Sequence, residues 1–584
     1  MLDVLSSICQ AAKEEIPLTG GKKRKDDDRD KLSQLVPGWK DQIAPWKDTA
    51  EFWYSVWLSA EKPVNCELHN IMKRTKNQYH YQVRRVKKLA DSIRSNKLLE
   101  AAMSGNADLL KEMKRVKSSQ RQTEPDNVDK KRGDDIPEQF ANVYEELYNS
   151  VDDEAGLEQL YIRLEEAGIS ASDVDNITPE VVKEAVGKLK SGKTDVSGQF
   201  HSDTLLHAPD TLFVALSQLF KAFFIHEDFS FDILCCAFMP LLKGALKDDT
   251  DSNNYRAIAI SSLLLKILDN VILILYGDVL SSDILQFGYK KKTSGTQCSW
   301  VVLEVVSYFK RHDTPVMAAF CDMTKAFDMC VFSTLFGKVL DRKVPAIIVR
   351  GLLWIYRYQR CWVRWSTGAV SRQFGVSNST RQGSCLSPCL YSVYCDNMLQ
   401  ELRDSGAGCY AGDVFVGAVS FADDLAILAP SRDGLQKLLD ICDRYAASHN
   451  LQFSTHPDAN KSKTKTVYFP VGRERRPAQL SLCGRLLPWV DQAAHLGHEI
   501  HKSGSPDVDC NMARGRYIGT SSEVLAMFDF ATPEQKLTAI QTYCCSWYGS
   551  MLWEFYSDTA EKAFRAWSTT VKIATISHDT PEPS

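Results

Sequence analysis

The sequence lacks the features that mark secreted, membrane-spanning and zinc-binding proteins. Residues 1–15 have neither the basic start nor the long apolar stretch of a signal peptide. The most apolar segment, 263–280, is interrupted by Lys266, Asp269 and Asp278, so we expect no membrane span. The 17 cysteines include no CxxC pair and no zinc-finger spacing. We interpret them as reduced thiols of an intracellular protein, located in the nucleus, the cytoplasm or both.

Length and composition predict a globular protein of roughly two to four domains. The chain has 584 residues, of which 44% are apolar, and a formal net charge of −4. The charge is uneven, because 73–132 holds 17 Lys and Arg against 7 Asp and Glu. Tyr79, His80 and Tyr81 lie within this basic stretch, which suits either a polyanion or the solvated face of an amphipathic helix. The basic cluster at 22–25 resembles a nuclear-import signal.

Carboxylates at the ends of two apolar runs are the most informative chemical signal. Asp423 and Asp424 interrupt a largely apolar stretch, 419–428, which predicts a β-hairpin with both carboxylates at its turn. Asp322 ends a second run of strand length, 316–321. A rigid turn of this kind offers the hard oxygen ligands that Mg²⁺ prefers, although Asp pairs are also common in simple solvated turns.

Neighbouring strands would bring these carboxylates to one spot. Like charges so close together raise each other's pKa unless cations neutralise them. Two divalent ions about 4 Å apart stabilise the attacking and leaving oxygens of phosphoryl transfer. The pattern therefore predicts nucleotidyl transfer, in which the protein mainly places the reactants and neutralises charge.

The surrounding segments predict an α+β fold. Residues 361–374 alternate as a hairpin does, and 386–402 and 433–449 have helical periodicity. We therefore expect a sheet covered on one face by helices. Residues 1–125 are predicted to be helical and rich in tryptophan, and 120–137 is a predicted linker.

Several motifs stand in the order found in reverse transcriptases of non-LTR (LINE-type) retrotransposons, which the chain resembles over roughly 178–500. The resemblance depends on the ordered set, since each motif by itself is weak to moderate. The matching segments are 190–198 and 251–258 (fingers), 319–328, 381–388 and Phe421-Ala422-Asp423-Asp424 (palm, the last a variant of the Tyr-X-Asp-Asp box), 461–465 (lysine motif) and 495–500 (primer-grip hairpin).

The resemblance implies catalytic roles for four residues. Asp322 and Asp423 would ligate two Mg²⁺ ions, for which Mn²⁺ could substitute, and Asp424 would add charge beside them. Lys463 would protonate the leaving pyrophosphate.

It also implies five substrate-binding residues. Phe327 would clash with a 2′-hydroxyl and so select deoxynucleotides, although a helix-core ring is the simpler alternative. Gln382 and Gly383 would lie against the nascent base pair, with glycine allowing close backbone approach. Arg256 and Lys243 would contact the triphosphate, and a solvated surface lysine is an equal alternative for Lys243.

The fold implied by the resemblance is a right-hand polymerase. Its parts would be a basic helical N-terminal extension with linker (1–135), fingers (136–315), a palm with an antiparallel sheet backed by helices (316–480), and a primer-grip hairpin with a helical thumb (481–584). The implied partners are an RNA template, a DNA primer and dNTPs, without a membrane. The sequence does not specify the oligomeric state.

Three functions remain open at this stage. The first is an RNA-directed DNA polymerase, the second a catalytically silent nucleic-acid-binding remnant, and the third an RNA-templated polymerase that serves host maintenance. The roughly 180 residues before the matched segment contain no candidate nuclease constellation. We therefore expect a truncated copy that supplies only the copying step.

Overall fold

The computed structural model describes residues 42–575, apart from 65, 90–92, 94–95, 98–99, 102–103, 105–124, 126, 134, 199–200, 231–232, 245–246, 382, 457, 459–460, 473–475 and 529–531. The import-like cluster at 22–25 and the predicted substrate residue Gln382 therefore lie outside the described residues.

The chain divides into two compact units, one that contains 125–506 and one that contains 16–124 and 507–584. The described helices are α1 (Ala44–Ser59), α2 (Glu67–Lys88), α3 (Asp135–Tyr148), α4 (Glu154–Glu166), α5 (Pro179–Gly187), α6 (Ser202–Leu206), α7 (Asp210–His226), α8 (Leu263–Tyr276), α9 (Gly295–Arg311), α10 (Phe332–Asp341), α11 (Ala346–Tyr358), α12 (Ser387–Asp404), α13 (Arg432–Ser448), α14 (Asp507–Met527), α15 (Pro533–Tyr543) and α16 (Asp558–Thr575). The described strands are β1 (Cys235–Leu242), β2 (Tyr255–Ser261), β3 (Val316–Asp322), β4 (Arg360–Val363), β5 (Tyr410–Ala411), β6 (Val414–Phe415), β7 (Ala418–Phe421), β8 (Asp424–Ala429), β9 (Lys465–Phe469), β10 (Ser481–Leu482), β11 (Arg485–Leu486), β12 (Trp489–Val490), β13 (Gln492–His495) and β14 (His498–His501).

A five-stranded sheet in the order β12-β9-β3-β8-β7 forms the centre of the first unit. β3 pairs antiparallel with both β8 and β9, and β7 pairs antiparallel with β8. The short edge strand β12 runs parallel to β9, so the predicted antiparallel sheet has one parallel edge. The predicted hairpin at 419–428 and the strand at 316–321 are thereby confirmed as neighbours.

Alternate residues of β3 and β8 point to opposite faces of this sheet, as the pleat requires. On one face, Ala319 and Ile427 belong to the large core to which α12 and α13 also contribute. On the other, Phe320 and Ala426 pack in a smaller core with α9 and the β13–β14 hairpin. The prediction of helices on one face only was wrong, since α9 covers part of the second face and buries apolar residues of its own.

Local sequence explains the helices that flank the sheet. The Ser431 side chain caps α13 by accepting a hydrogen bond from the backbone N–H of Gly434. Ser294 caps α9 in the same way, through the N–H of Gln297. Pro388 stands at the start of α12, where a missing N–H costs no helical hydrogen bond. α3 begins at Asp135, inside the predicted linker, because apolar side chains of its first turn are buried.

A three-stranded sheet, β2-β1-β4, adjoins this region of the first unit. β1 pairs antiparallel with β2 and parallel with β4. Aromatic rings of α3 pack on it, with Tyr148 stacked against Phe238 at a centroid distance of 5.4 Å. Residues 255–259 of β2 line the same cleft as Asp322 and Asp423 at the end of the central sheet.

The second unit contains two described helical groups. Ile43 and Val86 are buried between α1 and α2, and α14 to α16 form a separate core. α2 has an apolar side that buries Met72 and Val86 and a basic side that is exposed. An exposed basic face fits both alternatives, a polyanion-binding surface and a solvated helix face. The exposed basic residues of α2 are Lys73, Arg74, Lys76, Arg84, Arg85, Lys87 and Lys88.

None of the helices in the described part of the chain combines the length and apolar character that crossing a bilayer demands. No disulfide joins the cysteines of this part.

Candidate active site

The predicted carboxylates meet at one end of the central sheet. Asp322 is the last residue of β3, and its cross-strand partner is Asp424, the first residue of β8. Phe421 also pairs with Asp424, so Ala422 and Asp423 form the turn between β7 and β8. Cβ atoms of directly opposite residues in an antiparallel pair lie about 4.5–5.5 Å apart. The two strands are neighbours, so their carboxylates lie close together as the sequence predicts. Asp424, however, belongs to the strand and not to the turn.

Burial and mutual repulsion both perturb these carboxylates. The pKa of Asp424 is raised to about 6, mainly by burial and further by the negative charges of Asp423 and Asp322. Burial likewise raises the pKa of Asp423, Asp322 raises it further, and Arg256 and Lys463 oppose the shift. The sequence predicts like-charge repulsion as the cause of these shifts, but removal of the carboxylates from water contributes more.

Lys463 is the lysine of the 461–465 motif that reaches the acidic site. Its Nζ lies 3.2 Å from Oδ2 of Asp322. Lys461 and Lys465 do not line the cleft, and Lys465 lies within β9 opposite Phe320. Of the three lysines that the sequence could not distinguish, Lys463 is therefore the one that contacts the acidic site.

A cleft of about 750 Å³ opens in front of these groups. It combines acidic, basic and apolar side chains from segments that are far apart in sequence. The predicted site residues that line it are Lys243, Arg256, Asp322, Phe327, Gly383, Asp423 and Lys463. Asp424 does not line the cleft, although it pairs with Asp322 across the sheet. Gln382 lies outside the described residues.

The Phe327 ring is half-buried at the wall of the cleft. It stacks on Tyr391 with a centroid distance of 4.2 Å, and the edge of Tyr289 meets it at 6.2 Å. Its backbone oxygen accepts a 2.7 Å hydrogen bond from the N–H of Thr380. Phe327 is the middle residue of a 3₁₀ turn (Ala326–Asp328) and does not belong to a long helix. Its ring faces the cleft as well as the core.

Gly383 comes close to β2. Its φ is +79°, and a Cβ atom built there would lie 2.6 Å from the backbone oxygen of Ala259. Both the left-handed conformation and the space require glycine.

The loop that carries Gly383 is anchored by a buried ion pair that sequence reasoning missed. Nη2 of Arg381 lies 2.5 Å from both carboxylate oxygens of Asp269 in α8. Asp269 also accepts hydrogen bonds from Oγ of Ser384 at 2.7 Å and from the N–H of Cys385 at 3.2 Å. The loop is therefore held by a carboxylate more than a hundred residues upstream.

Positively charged side chains line the same cleft as the carboxylates. Nζ of Lys243 donates a 2.7 Å hydrogen bond to the backbone oxygen of Asn253. Burial lowers the pKa of Lys243, and Lys325, Arg256 and Lys463 lower it further. Lys325 was not among the predicted site residues, although it stands inside the quoted 319–328 motif. A group of mutually repelling cations is suited to a polyphosphate.

The carboxylates fit a divalent metal as a partial ligand set. No three His, Cys, Asp or Glu side chains form a ready metal cage within the described ranges. Mg²⁺, however, commonly takes only one or two protein carboxylates and completes its shell with substrate phosphates and water. Beyond the larger effect of burial, the neighbouring carboxylates raise the pKa values of Asp423 and Asp424, and the charge of Lys463 opposes this increase.

A largely antiparallel sheet with carboxylates paired at a hairpin, facing a cleft that contains basic side chains, is the arrangement expected for the palm of a nucleic-acid polymerase. Residues 245–500 match the family model described as reverse transcriptase (RNA-dependent DNA polymerase). Residues 245–500 thus form a reverse transcriptase domain, with the right-hand polymerase fold of mixed α and β content. The resemblance stated from the motifs is confirmed.

Known relatives support the same class. The Pol polyprotein from type-1 retrotransposable element R2 of Nasonia vitripennis is 31% identical over 121 residues, 21% of this chain and 12% of that protein. The RNA-directed DNA polymerase from mobile element jockey of Drosophila funebris is 24% identical over 343 residues, 57% of this chain and 36% of that protein. The chain thus spans about a third or less of the length of these relatives.

Among solved structures, an apo telomerase from Candida Tropicalis, truncated from its C-terminal domain, matches 54% of this chain and 61% of its own, with a TM-score of 0.33 and 12% identity.

Proposed function

We propose that the protein is an RNA-directed DNA polymerase of a non-LTR retrotransposon, which extends a DNA primer on an RNA template with dNTPs. The observation that carries the proposal is the convergence of Asp322, Asp423 and Lys463 on one cleft within the matched reverse transcriptase domain. The finer division into N-terminal extension (1–135), fingers (136–315), palm (316–480) and thumb (481–584) belongs to the same proposal.

Asp322 and Asp423, with Asp424 beside them, would hold two Mg²⁺ ions. When bound, the ions would neutralise phosphate charge and favour ionisation of the primer 3′-hydroxyl. The rigid β3–β8 pair keeps the carboxylates in place before substrate arrives, so little reorganisation is needed during the reaction.

The basic wall of the cleft would bind the incoming triphosphate. Arg256 and Lys243 line the cleft with Lys325, and their charges match the phosphate oxygens. Lys463 would leave its contact with Asp322 and donate a proton to the departing pyrophosphate. This transfer balances the negative charge that develops on the leaving group.

The apolar wall would read the sugar. Phe327 is held by Tyr391 and by the Thr380 hydrogen bond to its backbone, so its ring has little freedom to move away. A 2′-hydroxyl would meet this ring, which explains selection of deoxynucleotides by shape alone. Gly383 would let the backbone approach the nascent base pair.

The test is primer extension by the full chain with Mg²⁺, dNTPs and a primed RNA template. The wild-type protein should extend the primer and Asp423→Asn should not. The matched control is Asp413→Asn, because Asp413 is an exposed aspartate in the neighbouring β5–β6 hairpin. Equal extension by wild type and Asp423→Asn would refute the assignment. Salt-dependent RNA binding by a wild-type protein that extends no primer would instead indicate a silent remnant.

A further inference from the structure

We propose that Gln286 is a positioning residue for the polymerase reaction, because its side chain holds the backbone of the turn that carries Asp423. The inference rests on the proposed function and deepens it. Gln286 is 2% exposed and lies outside all of the predicted motifs.

The segment around Gln286 is docked along the edge strand of the central sheet. The N–H of Ser420 in β7 donates to the backbone oxygen of Leu285 at 2.8 Å, and the N–H of Phe287 donates to the backbone oxygen of Ser420 at 2.7 Å. These two bonds form a parallel bridge between Gln286 and Ser420. The backbone of Gln286 is therefore fixed beside the last residues of β7.

From this position the side-chain amide binds the turn on both sides. Its Oε1 accepts a 2.9 Å hydrogen bond from the N–H of Ala422 and a 2.7 Å bond from the N–H of Gly288. Its Nε2 donates to the backbone oxygen of Ala422 at 3.3 Å and to Oγ of Ser420 at 3.1 Å. The amide has two donors and two acceptor positions, and all four are used.

These contacts act on the most constrained residue of the turn. Ala422 has a φ of +59°, a left-handed conformation that a residue with a Cβ atom adopts only when its surroundings impose it. The Gln286 amide binds both the N–H and the carbonyl of this residue. Since Asp423 follows directly, the direction of its carboxylate depends on the conformation that Gln286 imposes on Ala422.

Gly288 shows how closely the segment approaches the turn. A Cβ atom built on Gly288 would lie 2.4 Å from the nitrogen of Ala422, so the position tolerates only glycine for reasons of space. The next residue, Tyr289, lines the cleft and meets the edge of Phe327. The segment 285–289 thus touches both the Asp423 turn and the ring assigned to sugar selection.

The first measurement is hydrogen exchange on the full chain, which needs no catalysis. In Gln286→Met, a side chain of similar length without the four hydrogen bonds, amide exchange of the peptide 418–424 should rise about tenfold. The matched control is Gln359→Met, because Gln359 is also buried but donates to Sγ of Cys361 at the start of β4. Unchanged exchange at 418–424 in folded Gln286→Met would overturn the proposal.

The second measurement is steady-state primer extension over a Mg²⁺ titration. Gln286→Met should lower kcat by about 10- to 100-fold and raise the Mg²⁺ concentration needed for half-maximal rate, as loss of outer-shell support usually does. The KM for dNTP should change little, because the basic wall of the cleft is untouched. Gln359→Met should match wild type in all three quantities.

A second variant keeps the test decisive if Gln286→Met does not fold. Gln286→Glu has the same shape but loses the Nε2 donors and places an acceptor against the Ala422 carbonyl, so it should show the same exchange and kcat effects. A wild-type kcat in either folded variant would overturn the inference. A wild-type protein that extends no primer would overturn the proposed function instead, and the exchange experiment would still decide whether Gln286 holds the turn.

Discussion

Removing the Asp269 carboxylate is expected to destabilise the first unit far more than removing a surface carboxylate. Asp269 and Arg381 have side chains only 4% and 2% exposed, and they are joined by two contacts of 2.5 Å. In Asp269→Ala the guanidinium stays buried without its counter-charge. Ser384 and the N–H of Cys385 lose an acceptor at the same time.

The expected cost follows from the burial of the pair. Breaking a buried ion pair by removing one partner costs about 3–5 kcal/mol. The matched control is Asp341→Ala, which removes the pair between Asp341 and Arg163, with a 2.6 Å contact but side chains 64% and 46% exposed. An exposed pair of this kind contributes less than about 1 kcal/mol, because water and salt screen it.

Urea unfolding of the full chain, followed by tryptophan fluorescence, measures the difference. The transition of the first unit should move to clearly lower urea in Asp269→Ala and hardly at all in Asp341→Ala. Primer extension should fall in Asp269→Ala even under conditions where the protein is folded, because the loop that carries Gly383 loses its anchor. Equal unfolding free energies for the two variants would refute the claim that this pair organises the loop.

Three other predictions address sugar selection, the glycine loop and acid stability. Phe327→Val should raise the kcat/KM for ribonucleotides relative to deoxynucleotides by about tenfold or more, and unchanged discrimination would remove Phe327 from the site. Gly383→Ala should lower stability more than Gly412→Ala, because both have positive φ but only at Gly383 would the new Cβ meet a neighbour; equal unfolding free energies would contradict this. Burial, followed by the charge of His498, lowers the pKa of His495 to about 3, below its unfolded value. As pH falls below about 6.5, the unfolded chain protonates this histidine while the folded protein does not. The free energy of unfolding should therefore decrease by about 2 kcal/mol between pH 6.5 and pH 5. His495→Gln should flatten this acid limb in urea unfolding, and an unchanged pH profile would exclude His495 as its source.

The motif residues were predictable because each stands at a place that local chemistry marks. Asp322 ends an apolar run, Asp423 interrupts one, and such breaks predict strand ends and turns without knowledge of the fold. For the lysine expected to act on pyrophosphate, the sequence left three candidates, Lys461, Lys463 and Lys465. The assignment of Lys463 needed the 3.2 Å contact with Asp322, which depends on how β9 follows the loop after α13.

Lys325 and Gln286 show the limit of the same reasoning. Lys325 was inside a quoted motif, yet a lysine in a polar turn looks solvated until Lys243 and Arg256 are seen to share its cleft. The neighbours of Gln286 in sequence do not mark it as a functional residue, because its partners in the Asp423 turn lie more than a hundred residues downstream. A buried amide becomes recognisable only when its hydrogen-bond partners are known.

Sequence alone determined the class of this protein, since the order of short motifs, the alternation of apolar and polar residues and the positions of the acidic groups are all local properties of the chain. Tertiary structure decided which groups act together. The Asp322–Asp424 pairing, the buried Asp269–Arg381 pair and the Gln286 contacts to the Asp423 turn each join segments about a hundred residues apart. Such contacts depend on strand register and on the packing of whole elements, and neither is encoded in the neighbours of any one residue.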